Sequence, residues 1–146
     1  MIEKKNFYIN GKWVSPSKPN DFEVIDPSTE EAFAIISLGS SEDADKAINA
    51  ARIAFESWRE TSKEERLSLL EKFDEIYNRR WDEMVKAQST EMGAPLDYSS
   101  EIHTKMGADI SKNTLKILKD FNFEHQFDTK SNNHIRYEPI GVCGLI

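Results

Sequence analysis

One cysteine, Cys143, is present in 146 residues, so no internal disulfide can form. A reduced, cytoplasmic setting is the default expectation for such a chain. Clustered basic residues are also missing, and the formal net charge is −7. Nucleic acid and acidic membrane surfaces are therefore not expected as partners, because binding them requires grouped Lys and Arg to displace counterions. No apolar run approaches the roughly 20 residues that cross a bilayer. The opening MIEKKNFYING has no apolar stretch of the kind a secretory signal needs. Histidines are few: His103, His125 and His134, no two of them three or four residues apart. That spacing does not describe a zinc site. Glycines are also sparse. Gly141 and Gly144 follow a strand-like opening, but no helix comes after them. A dinucleotide fingerprint needs strand, glycine turn and helix N-terminus together.

What is there describes a folded chain. Apolar residues make up 38% and charged residues 31%, a balance that suits a globular protein and not a disordered one. The length is enough for one domain with a core of its own. FYINGKWV places Asn10-Gly11 between two short apolar runs, and both residues tolerate the positive φ of a two-residue hairpin turn. Strand-like runs follow at 22–25 and 33–36, broken by Asp26-Pro27. A helix capped by Ser40 or Ser41 then carries Ala44, Ala47, Ile48, Ala51, Phe55 and Trp58 on one face. Ser62 and Glu65 have capping-box spacing. The helix they open is expected to run to Gly93, with Leu67, Leu70, Phe73, Tyr77, Trp81 and Met84 as its stripe. Pro95 fits the first turn of a third helix over 95–119. Its inner side is marked by Ile102, Met106, Ile110, Ile117 and Phe121. Alternating residues around 121–127 and 134–138, with the turn DTKSNN between them, predict a two-stranded arm. After Pro139 a final strand is expected.

Little chemistry is legible in these residues alone. Cys143 sits among Ile140, Val142, Leu145 and Ile146, with no local cation or helix N-terminus to lower its pKa. It reads as an inert, buried strand residue. Glu91 stands two residues before Gly93, at a helix end whose dipole disfavours an anion. It is either an exposed carboxylate of a fraying turn or a ligand for a bound cation.

Five segments, in order, carry a resemblance: YINGKWV, VIDPSTEE, EDADKAINAARIAFESWRETSKEERLSLLEKF, TEMGAPLDYS and RYEPIGVCGLI. Together they resemble the N-terminal part of the NAD(P)-dependent aldehyde dehydrogenase superfamily, over essentially all of 1–146. The resemblance implies an α/β fold. It would comprise the β-hairpins and three amphipathic helices of a cofactor domain (1–122), a two-stranded oligomerisation arm (123–138) and the first strand of a Rossmann-type core (139–146). It implies NAD or NADP as cofactor of the full-length enzyme, with Ile146 matching the first residue of the dinucleotide-contacting stretch. It also implies a monovalent-cation site at the positions of Val24, Ile25 and Glu91, where family members often carry Asp in place of the Glu. In the family a cysteine thiolate attacks the aldehyde, hydride passes to the cofactor, and a glutamate activates water to release the acid. The matching cysteine, glutamate and asparagine positions fall outside these residues, so no catalytic residue is expected here and Cys143 is structural. The expected function is that of the N-terminal portion of such an enzyme, with no activity expected when it is isolated. The alternative is a non-catalytic, self-associating helical module or a truncated gene relic. Burying Ile140, Val142, Leu145 and Ile146 would stabilise by roughly 1.5–3 kcal/mol each. Without neighbouring strands, the chain is expected to self-associate through the arm and the final strand, or to leave its tail disordered.

Overall fold

The computed structural model describes residues 1–130 and 132–146. Ser131, within the expected DTKSNN turn, lies outside the described residues. Two small sheets form first. Strands β2 (Phe7–Ile9) and β3 (Lys12–Val14) pair antiparallel across the Asn10-Gly11 turn. Asn10 and Gly11 have φ of 53° and 73°, the mirror-image turn that matches strand twist. Tyr8 and Trp13 face each other across this hairpin, ring centroids 5.2 Å apart. The second sheet has the order β1-β5-β4, from β1 (Ile2–Lys4), β4 (Asp21–Asp26) and β5 (Glu31–Ser37). β4 and β5 enclose the two runs expected at 22–25 and 33–36. β1 was not expected; three residues with two charges carry too little periodicity to announce a strand. Asp26 closes the β4–β5 turn by accepting the Ser28 N–H at 2.8 Å.

Helix α1 (Ser41–Trp58) begins on a complete capping box. Ser40 accepts the Asp43 N–H, and the Asp43 carboxylate accepts the Ser40 N–H. The same carboxylate reaches across to the loop after β3. Its Oδ1 accepts both the Ser17 N–H and the Ser17 hydroxyl at 2.8 Å. Asp43 is only 5% exposed. A helix start and a distant loop are thus tied by one buried side chain.

The expected Ser62 capping box opens α2 (Lys63–Arg79). The helix then departs from expectation. It does not continue to Gly93 but breaks at Arg80 (φ −99°, ψ 23°), and α3 (Trp81–Met92) begins anew. Asn78 donates to the Asp74 carbonyl, and the Arg80 N–H is shared between the Ile76 and Tyr77 carbonyls. Such local competition for carbonyls ends a helix without interrupting its apolar stripe, so periodicity alone runs straight through it. Gly93 closes α3 in the left-handed region (φ 69°), as expected.

The third helical stretch is built of α4 (Leu96–Tyr98), a π-helical segment (Ser99–Thr104) and α5 (Lys105–Asp120). Side chains from α2 and α3 bond into the widened turns. Tyr77 donates to the Thr104 carbonyl at 3.1 Å, Trp81 Nε1 to Ser100 Oγ at 3.1 Å, and Thr104 Oγ1 to Gln88 Oε1 at 3.2 Å. Here the expected inner face is corrected. Ile102, Met106, Ile110 and Ile117 are exposed, and Phe121 nearly half so; the buried side is Ser99, Thr104 and Ala108. Small residues let α2 and α3 approach closely, while the large apolar stripe has no facing element among the described residues. Periodicity finds an apolar face but not the thing that covers it.

Gly107 shows how close that approach is. A Cβ there would run into the Tyr77 hydroxyl and lie 3.0 Å from its ring. Gly107→Ala is expected to destabilise by about 1–3 kcal/mol through overpacking, less about 1 kcal/mol of helix propensity. Urea denaturation would measure this, and Tyr77→Phe in the same background should recover part of the loss.

The expectation of a self-contained core is also corrected. Among the described residues only Ala34, Val85 and Ala108 are buried apolar side chains. The α1 stripe is open as well, with Ile48 and Trp58 exposed. The expected final strand forms no ladder: residues 139–146 have no regular structure, and Ile140 and Leu145 stand exposed. A strand is defined by its hydrogen-bonding neighbour, and none is present for this segment.

Candidate functional site

Three places carry the residues singled out by sequence. The first is the end of β4. Val24 is half-buried and Ile25 exposed, with a register irregularity between them. Glu91 is exposed in the last turn of α3. Two residues on, Gly93 is pressed against the turn that follows β4; a Cβ at Gly93 would lie 2.8 Å from Pro27 Cγ. This contact brings the Glu91 end of α3 to the same neighbourhood as the end of β4. No group of three His, Cys, Asp or Glu side chains able to hold a metal exists among the described residues. Beside the main-chain carbonyls and the Glu91 carboxylate, this place holds the Asp26 carboxylate, which accepts the Ser28 N–H, and the Ser28 hydroxyl next to Gly93.

The second place is the arm. β6 (Glu124–Gln126) and β7 (His134–Arg136) pair antiparallel, with His125 opposite Ile135. Its base is fixed by rings: Phe121 lies 4.8 Å from Phe123 and 5.4 Å from Tyr137. The Tyr137 N–H donates to the Phe123 carbonyl at 2.8 Å. Arg66, from the body, lies over the Phe123 ring at 5.8 Å. The base therefore folds onto its own body while the strands project, mostly exposed.

Between that base and the α1–α2 corner lies a cleft of about 190 Å³. Arg59, Lys63, Arg66 and Arg136 line it. In the sequence Lys63 and Arg66 look like ordinary charges of a helix's first turn. Nothing in the sequence could have grouped them with Arg136, seventy positions away; only the arm's return brings them together.

The third place is the tail. Cys143, expected to be buried, is exposed. The missing strand partner explains the difference, since a segment with no ladder cannot enclose its side chains. Ile146 is exposed at the tail's end. Among the described residues nothing flanks it to form a dinucleotide cradle.

A family model described as "Aldehyde dehydrogenase family" matches residues 13–146. A 3-succinoylsemialdehyde-pyridine dehydrogenase of a Pseudomonas species is 41% identical over 147 residues, matching 100% of this chain and 30% of its own length. A putative aldehyde dehydrogenase of Staphylococcus saprophyticus is 37% identical, with 95% and 29% covered. Among solved structures, an aldehyde dehydrogenase from Bartonella henselae superposes with a TM-score of 0.88 at 50% identity, covering 90% of this chain and 28% of that one. A mutant aldehyde dehydrogenase C from Pseudomonas syringae, solved with NAD+ and octanal, gives 0.81 at 33% identity, covering 83% and 25%. The chain spans about 30% of the length of the curated relatives it matches.

Proposed function

This chain belongs to the aldehyde dehydrogenase family, and from that premise we propose that it supplies scaffold to an enzyme oxidising an aldehyde to a carboxylic acid with NAD or NADP. The observation that carries the reading is the mismatch between faces and partners. α1, α5 and the tail present apolar side chains on surfaces that nothing among the described residues covers. An apolar face of that size is normally a contact surface. A nucleotide-binding body would cover them, and the reacting cysteine, glutamate and asparagine would belong to it.

When bound, the nicotinamide cofactor accepts the hydride. This chain's residues would position that chemistry without performing it. Ile146 would meet the dinucleotide only once a neighbouring strand and helix flank it. The Val24 and Ile25 carbonyls and the Glu91 carboxylate would hold a monovalent cation. An all-oxygen donor set suits a hard cation, and the Gly93–Pro27 contact brings its elements together. The arm at 123–138 would pair with the sheet of a second copy, since an isolated two-stranded ribbon is marginal in water.

The 146-residue chain, purified alone, is expected to give no NADH absorbance with any of several aldehydes and no saturable calorimetric signal with NAD+. Turnover proportional to protein concentration would refute the reading.

A further inference from the structure

We propose that the cleft at the base of the arm is a binding site for a small oxyanion, a phosphate or a carboxylate. The argument begins with Arg66. It is half-buried, and its recorded hydrogen bonds go to neutral oxygens: Nε to Thr61 Oγ1 at 2.9 Å and Nη2 to the Arg59 carbonyl at 3.1 Å. A guanidinium has five N–H donors, so most of its capacity is unspent. Glu65 attracts it electrostatically, but that carboxylate is spent on the Ser62 N–H at 2.7 Å and makes no ion pair with Arg66 among the described residues; a half-buried cation ordinarily has a closer counter-charge.

The surroundings add charge of the same sign. Lys63 donates to the Lys119 carbonyl at 2.6 Å and the Phe121 carbonyl at 3.1 Å, again to neutral oxygens. Two further cations on the cleft are balanced locally: Arg59 by Glu60 at 3.2 Å and Arg136 by Glu138 at 3.4 Å. Those two pairs cancel, and among the residues that line the cleft Lys63 and Arg66 leave an excess of two positive charges on a concave surface. Concavity between low-dielectric walls strengthens the field there. The Phe123 and Tyr137 rings form part of the wall. A volume of about 190 Å³ holds about six waters at roughly 30 Å³ each. That admits a phosphate or a carboxylate and is too small to enclose a dinucleotide. A planar fork of donors is the usual partner of such oxyanions.

The test is titration calorimetry of the full 146-residue chain with sodium phosphate and, separately, sodium acetate, at ionic strength held constant with sodium chloride. Saturable binding with a Kd on the order of millimolar is expected for at least one of them. Comparable binding of acetate marks the ligand as a carboxylate; binding of phosphate alone marks it as a phosphate. Arg66→Gln should abolish the signal. Because Arg66 also braces the Thr61 corner, two surface variants carry the decision. Arg136→Gln should weaken binding about fivefold, and Glu138→Gln, which frees Arg136, should tighten it about threefold. No saturable heat with either anion overturns the proposal. So does binding that is the same in the wild type, Arg136→Gln and Glu138→Gln. Either failure leaves the family reading untouched, because that reading rests on other residues.

Discussion

Light scattering on the isolated 146-residue chain at micromolar concentration is expected to show particles of at least about twice the 16.8 kDa chain mass. The cause is the α5 face. Ile102, in the π-helical segment that leads into α5, is followed by Met106, Ile110 and Ile117 at steps of four, four and seven, and the four are 43%, 54%, 60% and 66% exposed. Covering each would be worth roughly 1.5–3 kcal/mol. Four such residues in one strip exceed what scattered surface apolar side chains contribute. Ile110→Glu with Ile117→Glu should bring the particle close to the single-chain mass while far-UV circular dichroism keeps its helical signal. The stripe faces away from α2, so the charges disturb no packing within the chain. A wild-type chain that stays at single-chain mass on concentration would count against the face as a contact surface.

A second large effect is expected at Asp43. Its carboxylate accepts Ser40 N–H at 2.9 Å, Ser40 Oγ–H at 2.7 Å, and the two Ser17 donors. The Ser40 and then the Ser17 backbone N–H groups hold its carboxyl far below the usual carboxylate range. The sign follows from linkage. A carboxyl whose folded pKa is depressed stabilises the fold above its unfolded value near 4, and that contribution is lost as pH falls toward the folded value. Asp43→Asn replaces an acceptor with an amide whose N–H₂ would face donors. Its melting temperature at pH 7 should fall by about 5 °C or more. Wild type should lose stability below about pH 4 more steeply than Asp43→Asn does, so the two melting curves converge in acid. Other carboxylates titrate in that range too, Glu42 and Glu65 among them; the difference between the two proteins isolates Asp43. Parallel pH profiles would show that the four hydrogen bonds confer nothing.

These cases also mark what the residues disclosed before any coordinates. Turn and cap chemistry is local, so Asn10-Gly11, Ser62–Glu65 and Gly93 were legible from neighbours a few positions apart. The Arg80 break was not, because the apolar stripe of α2 continues in phase into α3. Asp43 stands in the first turn of α1, where the helix dipole favours any acid, yet its bonds to Ser17 span 26 positions and no short pattern encodes them. The stripe on α5 was found correctly as apolar and wrongly as inward. Hydrophobicity records a preference for cover, while burial depends on a neighbour that residues 95–120 do not name. Val24, Ile25, Glu91 and Ile146 entered through family likeness. Of the four, the folded chain shows only that the ends bearing Val24, Ile25 and Glu91 are neighbours.

The division of α5 between two flanks bears on how a polypeptide of this family is made. One flank, lined by Gly107 and Ala108 and continued by Ser99 and Thr104 of the π-helical segment, closes on α2 and α3 using residues fewer than fifty positions apart. It can therefore settle as soon as those residues leave the ribosome, at a pace set by synthesis. The other flank is still apolar and open when residues 1–146 have folded, and such a face is what a chaperone would grasp.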